Sequence, residues 1–277
     1  MSMMSQAATR RIALLTAIVG LAFGPAHDAV ASAFRVTPIR VTFAGRSMST
    51  ILTLSNESTE ELRFQISTFT WAQPDQTGEM KLEPTKDITF FPALLTLKPG
   101  ESRNVRVGTK AKPTATERTY RIFFEELPPL VRPAEVRGSQ VRIITKMGIP
   151  IFIEPEKRVV TGEISDAAVR DGKLSFVIRN GGNAHFSATS VKVTGVDAEG
   201  KALFDRQREG WYVLAGGGRK YELELPADQC AATRSLKIEA LTDLTEKLEA
   251  STLKSEVPVS SGGCGTAAVE QQKPSKG

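Results

Sequence analysis

Few residues in this sequence could do chemistry. His185 is the single histidine beyond the N-terminal segment, so it cannot supply a multi-histidine zinc site, and no G-x-S-x-G motif offers it a nucleophile. We interpret His185 as a turn or surface residue. The carboxylate pairs at 60–61 and 125–126 lie in alternating segments, where adjacent side chains face opposite ways. The glycine run at 216–218 lacks the Lys-Ser/Thr of a phosphate-binding loop. We therefore expect no enzyme activity, no cofactor and no bound metal.

The N-terminal segment has the pattern of a cleaved export signal. Arg10 and Arg11 precede an apolar run over 12–23, which is shorter than the ~20 residues that span a bilayer. Ala31-Ser32-Ala33 then offers the small-x-small pattern of a signal peptidase site. We predict a signal peptide over 1–33, with a buried N-terminal helix as the alternative, and a mature protein that does not span a membrane.

Export would place the two cysteines in an oxidising compartment. Cys230 and Cys264 are not at C-x-x-C spacing, so they are either a structural disulfide or two free or intermolecular thiols. The chain has 277 residues, a net charge of +5 and 40% hydrophobic residues, which is typical of a folded globular protein. Because no basic run or array of stacking aromatics accompanies the charge, we expect no nucleic-acid partner.

The elements that must position these residues are strands. From residue 34 onward apolar residues recur with a period of two, and turn signals such as Lys98-Pro99-Gly100 separate the runs. A second series follows Pro155, with a hairpin signal at 171–172. This predicts an all-β protein with domains at 34–155 and 156–254, each the size of one immunoglobulin-like sandwich, and a disordered tail over 255–277.

Four segments, in order, are similar to the periplasmic chaperones of the chaperone–usher pilus pathway, the PapD-like family. They are V-T-P-I-R-V-T-F-A-G at 36–45, L-T-L-K-P-G-E-S-R-N-V-R-V at 95–107, Y-R-I-F-F-E-E-L-P-P at 120–129 and I-F-I-E-P at 151–155. The resemblance implies two immunoglobulin-like domains in a boomerang arrangement. It also implies that the chain binds pilus subunits by donor-strand complementation and delivers them to an outer-membrane usher without ATP.

The resemblance assigns roles to particular residues. The donor strand is expected at 140–149, and one face of it carries the side chains that would enter a subunit: Val141, Ile143, Thr145, Met147 and Ile149. Arg40 matches the family's first arginine for the subunit carboxylate. The family's lysine falls on Pro150 here, so we prefer Lys146 as second anchor, with Arg121 on the neighbouring strand as its rival.

Two departures from the family pattern are visible. Glu154 stands where typical members carry an arginine that fixes the angle between domains, so another group must take that part, with Arg118 and Arg158 as candidates. The second departure is a proline-punctuated segment over 130–138. The two departures together make the chain more similar to the archaic branch of the family than to the classical one. The alternative function is a secreted structural or adhesive β-sandwich protein, similar to a pilin.

Overall fold

The computed structural model describes residues 33–74, 79–129, 143–244, 251–260 and 263–264. The predicted signal peptide therefore lies almost wholly outside the described residues. Within the described part, no helix is long and apolar enough to cross a membrane. The all-β prediction is confirmed, because the described elements are strands apart from one four-residue helix.

The first domain is a sandwich of two sheets that close around one core, and all of their strand pairs are antiparallel except β2–β10. Its strands are β1 Phe34–Thr37, β2 Val41–Phe43, β3 Ser49–Asn56, β4 Leu62–Ala72, β5 Lys81–Pro84, β6 Ile88–Phe91, β7 Leu94–Leu97, β8 Ser102–Thr109, β9 Arg118–Leu127 and β10 Lys146–Ile153. One sheet has the order β1-β3-β8-β6, and the other has the order β2-β10-β9-β4-β5 with β7 also pairing with β4. Strict alternation, as in Leu62, Phe64 and Ile66 of β4, supplies the buried face.

The first strand of this domain is divided between the two sheets. β1 pairs with β3 in the first sheet, the chain crosses over at 38–40, and β2 then pairs with β10 in the second. The β2–β10 pairing is parallel, with Val41 opposite Ile151 and Phe43 opposite Ile153. This crossover leaves Arg40 directly before β2, at the edge of the second sheet.

The second domain is another immunoglobulin-like sandwich, which confirms the predicted two-sandwich fold. Its elements are β11 Gly162–Arg170, β12 Lys173–Asn180, β13 Phe186–Val196, β14 Ala202–Glu209, β15 Tyr212–Val213, β16 Gly218–Glu224, the helix α1 Ala227–Cys230, β17 Ser235–Thr242 and β18 Ser251–Pro258. The sheets have the orders β11-β12-β16 and β14-β13-β17-β18, with β15 pairing with β13. The predicted domain boundary after Pro155 falls between β10 and β11.

The start predicted for the disordered tail is corrected by β18. Ser255 lies inside this strand, where it is paired with Ile238 of β17, and Val257 and Val259 enter the domain core. Polar composition suggested disorder, but the strand lies at a sheet edge, where one face is exposed and polar residues are tolerated. A disulfide joins Cys230 of α1 to Cys264, six residues beyond β18.

Removing this disulfide should destabilise the second domain. The bridge spans 34 residues of sequence, and closing a loop of that size stabilises a fold by about 3–4 kcal/mol in the chain-entropy estimate. We expect the Cys230→Ala/Cys264→Ala double variant to lose that amount in denaturant unfolding followed by circular dichroism. An unfolding midpoint equal to that of the oxidised wild type would contradict the expectation, and reduced wild type should match the double variant.

Candidate functional site

The outer edge of β10 is only partly occupied. β9 pairs with β10 along its whole length, from Lys146 to Ile153, but β2 covers only 151–153 on the other side. Among the described residues, no strand pairs with 146–150 on that side. Every second residue of this segment therefore directs its backbone N–H and C=O groups away from β9 toward an unfilled strand position.

The predicted donor strand is shorter as a regular strand than the sequence suggested. β10 begins at Lys146, and 143–145 are described without strand pairing, although Glu126 N–H donates to the Thr145 carbonyl at 3.0 Å. Ile143 and Ile144 are 60% and 46% exposed. Val141, like the rest of 140–142, lies outside the described residues.

One predicted donor side chain is already buried in the core of the first domain. Ile149 is 2% exposed and belongs to the core of the first domain, and Met147 packs against the same core. By alternation, residues 143, 145, 147 and 149 all share one face of the segment. Alternation alone could not show which of them are buried in the first domain and which are exposed. Ile149 is thus committed to the core of the first domain, and of the predicted donor side chains among the described residues, Ile143 is the most exposed.

Two arginines flank β10 where its free edge meets β2. Arg121 of β9 lies opposite Pro150 in the β9–β10 register. Arg40 immediately precedes Val41, which is opposite Ile151, so the parallel pairing carries Arg40 to the other side of Pro150. With strands about 4.8 Å apart, the three residues form a row about 10 Å wide. Their neighbours Val41, Ile151 and Ile122 are core residues, so the row faces away from the core.

Arg121 is a buried guanidinium with unused hydrogen-bond donors. The residue is 5% exposed, and its Nη1 donates to the Gly148 carbonyl at 3.3 Å. Among the described residues, Nε and Nη2 have no hydrogen-bond partner. Burial lowers the pKa of Arg121, while the nearby Tyr212 acts in the opposite direction. The two oxygens of a carboxylate can accept parallel hydrogen bonds from Nε and Nη2. Burying these two donors without a partner costs free energy.

Arg40 differs from Arg121 in being half exposed and already paired across the domains. Its Nη1 lies 3.9 Å from Oδ2 of Asp243, and the two side chains are 45% and 37% exposed. The other carboxylate oxygen of Asp243 accepts the Ser187 N–H at 2.5 Å. An exposed pair at this distance stabilises by only about 0–1 kcal/mol, so Arg40 remains available to a second carboxylate.

Lys146, the preferred second anchor from sequence, lies elsewhere on the same face. Its Nζ is 2.8 Å from Oε2 of Glu125 and sits over the ring of Phe123. Four residues separate it from Pro150, which corresponds to about 13 Å along a strand. The family pattern expects its lysine where this chain has Pro150, and Arg121 lies directly opposite Pro150. The register therefore favours Arg121 over Lys146 as the partner of Arg40.

Of the two alternatives for His185, a turn residue or a surface residue, the structure contradicts the second, since His185 follows the bend at 182–184 but is buried. It is 6% exposed, it stacks on Phe152 at a ring distance of 3.6 Å, and its Nδ1 lies 2.8 Å from Oε2 of Glu117. The same carboxylate oxygen accepts the His185 backbone N–H at 2.9 Å. Glu117 belongs to the first domain and His185 to the second, so this pair joins the two.

The remaining interdomain contacts surround that pair. Trp71 and Phe152 of the first domain pack with Leu214 of the second, and the Gln73 amide bonds the backbone of Tyr212 and Leu214 at 3.0 Å each. Of the two arginines considered from sequence for fixing the domain angle, Arg158 donates to the His185 carbonyl, and Arg118 pairs with Asp87 inside the first domain.

Replacing Glu117 with alanine should loosen the domain interface. The change leaves the buried His185 N–H and ring nitrogen without their acceptor, which costs about 1–3 kcal/mol for each unsatisfied group. We expect a lower thermal midpoint and faster amide exchange around 183–186. The Glu83→Ala variant, which removes an exposed carboxylate of β5, is the control; equal midpoints for the two variants would contradict this role of Glu117.

Sequence reasoning missed Trp71, Trp211, Glu117 and Asp243 as members of the site. Trp71 joins the site through its contact with Arg121 inside the first domain, and the other three join it through contacts between the two domains. No local motif marks contacts of either kind. The signal that was available is the scarcity of tryptophan: the chain has two, and both lie over Arg121, at 4.1 and 5.6 Å from ring centre to guanidinium carbon. Within the described ranges, no group of three or more His, Cys, Asp or Glu could hold a metal ion.

Comparisons with known proteins concern the family and the fold. Residues 33–158 match the family described as pili and flagellar-assembly chaperone, PapD N-terminal domain. Among curated proteins, none matches the chain.

Two solved structures illustrate the shared fold. One is a chain of the CsuC–CsuE chaperone–tip adhesion subunit pre-assembly complex from archaic chaperone–usher Csu pili of Acinetobacter baumannii. It is 16% identical, with a TM-score of 0.53 over 80% of this chain and 98% of that chain. The other is a chain of the Salmonella enterica SafA pilin complex with the SafB chaperone, 15% identical, with a TM-score of 0.50 over 82% and 97%. At these identities the likeness concerns the fold.

Proposed function

This chain belongs to the PapD-like family of pilus-assembly chaperones through residues 33–158, and from that premise we propose that it captures pilus subunits by donor-strand complementation in the periplasm. The observation that carries the proposal is the strand position beside 146–150, which no described residue fills and which ends at Arg40. A subunit that lacks one strand exposes the complementary features, an open groove and unpaired backbone groups.

The two arginines define the direction in which a subunit strand would lie. A strand in line with β2 that runs parallel to β10 ends with its carboxyl terminus beside Arg40 and Pro150. An antiparallel strand would bring an ammonium group to the same place, where two guanidinium groups repel it. The charge arrangement therefore favours a parallel subunit strand whose terminal carboxylate is held by Arg40 and by the free donors of Arg121.

The segment before the anchor would supply the side chains. Ile143 and Thr145 lie on the face that continues into the core of the first domain, so they are aligned to extend that core into a subunit groove. Burying one isoleucine side chain stabilises a complex by about 1.5–3 kcal/mol, and the backbone pairing adds to it. Binding of this kind needs no ATP, because the chaperone shields an unfinished subunit and releases it when a competing strand replaces its own.

We further propose delivery of the subunit to an outer-membrane usher and membership of the archaic branch, on the basis of family membership and of the fold shared with the chain from the Csu system. The proposed location, the periplasm, follows from the family and from the export pattern at 1–33.

Co-expression tests the proposed function. A pilus subunit secreted alone should be degraded or aggregate, and secretion together with this chain should give a soluble 1:1 complex. A subunit extended by two residues beyond its natural carboxyl terminus should be captured poorly, since its carboxylate no longer reaches the arginines. Full recovery of a soluble subunit without this chain, or equal capture of the extended subunit, would contradict the proposal.

A further inference from the structure

Arg121 is covered from both domains. Trp71 of the first domain lies 4.1 Å from the guanidinium carbon and is 1% exposed. Trp211 of the second domain lies 5.6 Å from the same carbon on a ring that is 41% exposed. The inner ring is therefore a fixed part of the core, and the outer ring is the part of the cover that meets solvent.

The backbone holds Trp211 in this position. Its carbonyl accepts the Ala188 N–H at 2.9 Å. Gly210, directly before it, approaches β13 so closely that a Cβ would lie 1.6 Å from the Ala188 carbonyl oxygen. The next residue, Tyr212, packs edge-on against Trp71 at 5.7 Å within the domain interface. The backbone at 210–211 is thus fixed against β13, and the next residue, Tyr212, packs against the first domain.

We propose that Trp211 is a positioning residue that completes the carboxylate anchor from the second domain by covering the Arg121 guanidinium and shielding its ion pair from water. The proposal rests on the proposed function of Arg121. Removing water from an ion pair strengthens the attraction between the charges and reduces its screening by salt. An indole is also the aromatic ring that binds a guanidinium face most strongly.

A consequence concerns movement of the ring on binding. Nε and Nη2 of Arg121 have essentially no exposed surface, so a carboxylate reaches them only when the cover shifts. Trp71 cannot supply the shift without disturbing the core around Phe152, whereas Trp211 is half exposed. Since the chain has two tryptophans and both contact Arg121, intrinsic tryptophan fluorescence reports on this site alone.

The test uses two peptides that differ in charge at one end. The N-acetylated tetrapeptide Thr-Val-Thr-Val is prepared as the free acid and as the C-terminal amide, and each is titrated into the full chain. The NMR signal of the Arg121 Nε–H group gives the affinity at low and high sodium chloride. The variants are Trp211→Ala, Trp211→Phe and, as a control on an exposed apolar residue of the same domain, Leu241→Ala.

The expected result is specific to the acid. Wild type should prefer the acid to the amide, and the acid should change the tryptophan fluorescence. Trp211→Ala should lower the ratio of the acid affinity to the amide affinity about 10-fold, which is the size expected for the loss of a desolvated cation–π contact. It should also make the acid affinity fall more steeply with salt. Trp211→Phe should stay within about 3-fold of wild type, because a benzene ring keeps part of that contact. Leu241→Ala should behave as wild type.

Two results would overturn the claims separately. A Trp211→Ala variant with the wild-type preference and the wild-type salt response removes the role of Trp211 and leaves the anchor intact. If Arg121→Met keeps the preference for the acid, the assignment of Arg121 itself is wrong, and the cover has nothing to position.

Discussion

Replacing Arg121 with methionine should abolish capture of pilus subunits and leave the chaperone as stable as before, or slightly more stable. In the free protein the guanidinium is 5% exposed and two of its nitrogens lack a partner, so an apolar side chain of similar length removes an unfavourable buried charge. In the complex the same change leaves a subunit carboxylate without its counter-charge. Breaking a buried pair in this way costs about 3–5 kcal/mol, which corresponds to an affinity loss of roughly 100- to 4,000-fold.

The matched control is Lys146→Met on the neighbouring strand. It removes a positive charge from the same sheet face, where that charge is paired with Glu125, and it should change subunit affinity by less than about 3-fold. Both variants can be compared with wild type by affinity measurement on the refolding subunit and by thermal unfolding of the chaperone alone. A larger loss of affinity for Lys146→Met than for Arg121→Met would return the second anchor to Lys146.

Replacing Ile143 with aspartate should also prevent capture without unfolding the chaperone. Ile143 is 60% exposed in the free protein, so a charge is tolerated there. In the complex the side chain would enter an apolar subunit groove, where the change removes about 1.5–3 kcal/mol of burial and adds the cost of a desolvated carboxylate. The subunit affinity should fall by roughly 100-fold or more.

The neighbouring residue provides a control of the same type. Ile144 is 46% exposed, and an alternation continued from β10 into 143–145 would turn its side chain to the face opposite that of Ile143. Ile144→Asp should therefore leave the affinity within about 3-fold of wild type. Equal losses for the two variants would show that the register is wrong. A loss confined to Ile144→Asp would show that the opposite face enters the subunit.

The sequence was sufficient for most of the core strands and for the family, because both depend on local order. Alternation marks β4, β9 and β10 directly, and four short segments in the right order carry the family resemblance. The position of Arg40 at the start of β2 could also be predicted, since it lies inside one of those segments and next to a buried strand residue.

What the sequence could not supply depends on pairings between distant residues. The choice between Lys146 and Arg121 required the β9–β10 register, which places Arg121 and not Lys146 beside Pro150. The burial of His185 required the approach of Glu117, 68 positions earlier in the chain. The strand β18 was missed because its polar residues face outward and only its pairing with β17 orders it.

The free edge of β10 should receive a subunit strand, and amide hydrogen exchange of the segment 143–149 is the decisive measurement. The exchange rates are measured for the chaperone alone and for its complex with a pilus subunit, with β18 as an internal reference that lies in the other domain. We predict strong protection of 143–149 on complex formation and unchanged rates over 251–258. A stable complex in which 143–149 exchanges as fast as in the free chaperone would contradict the account.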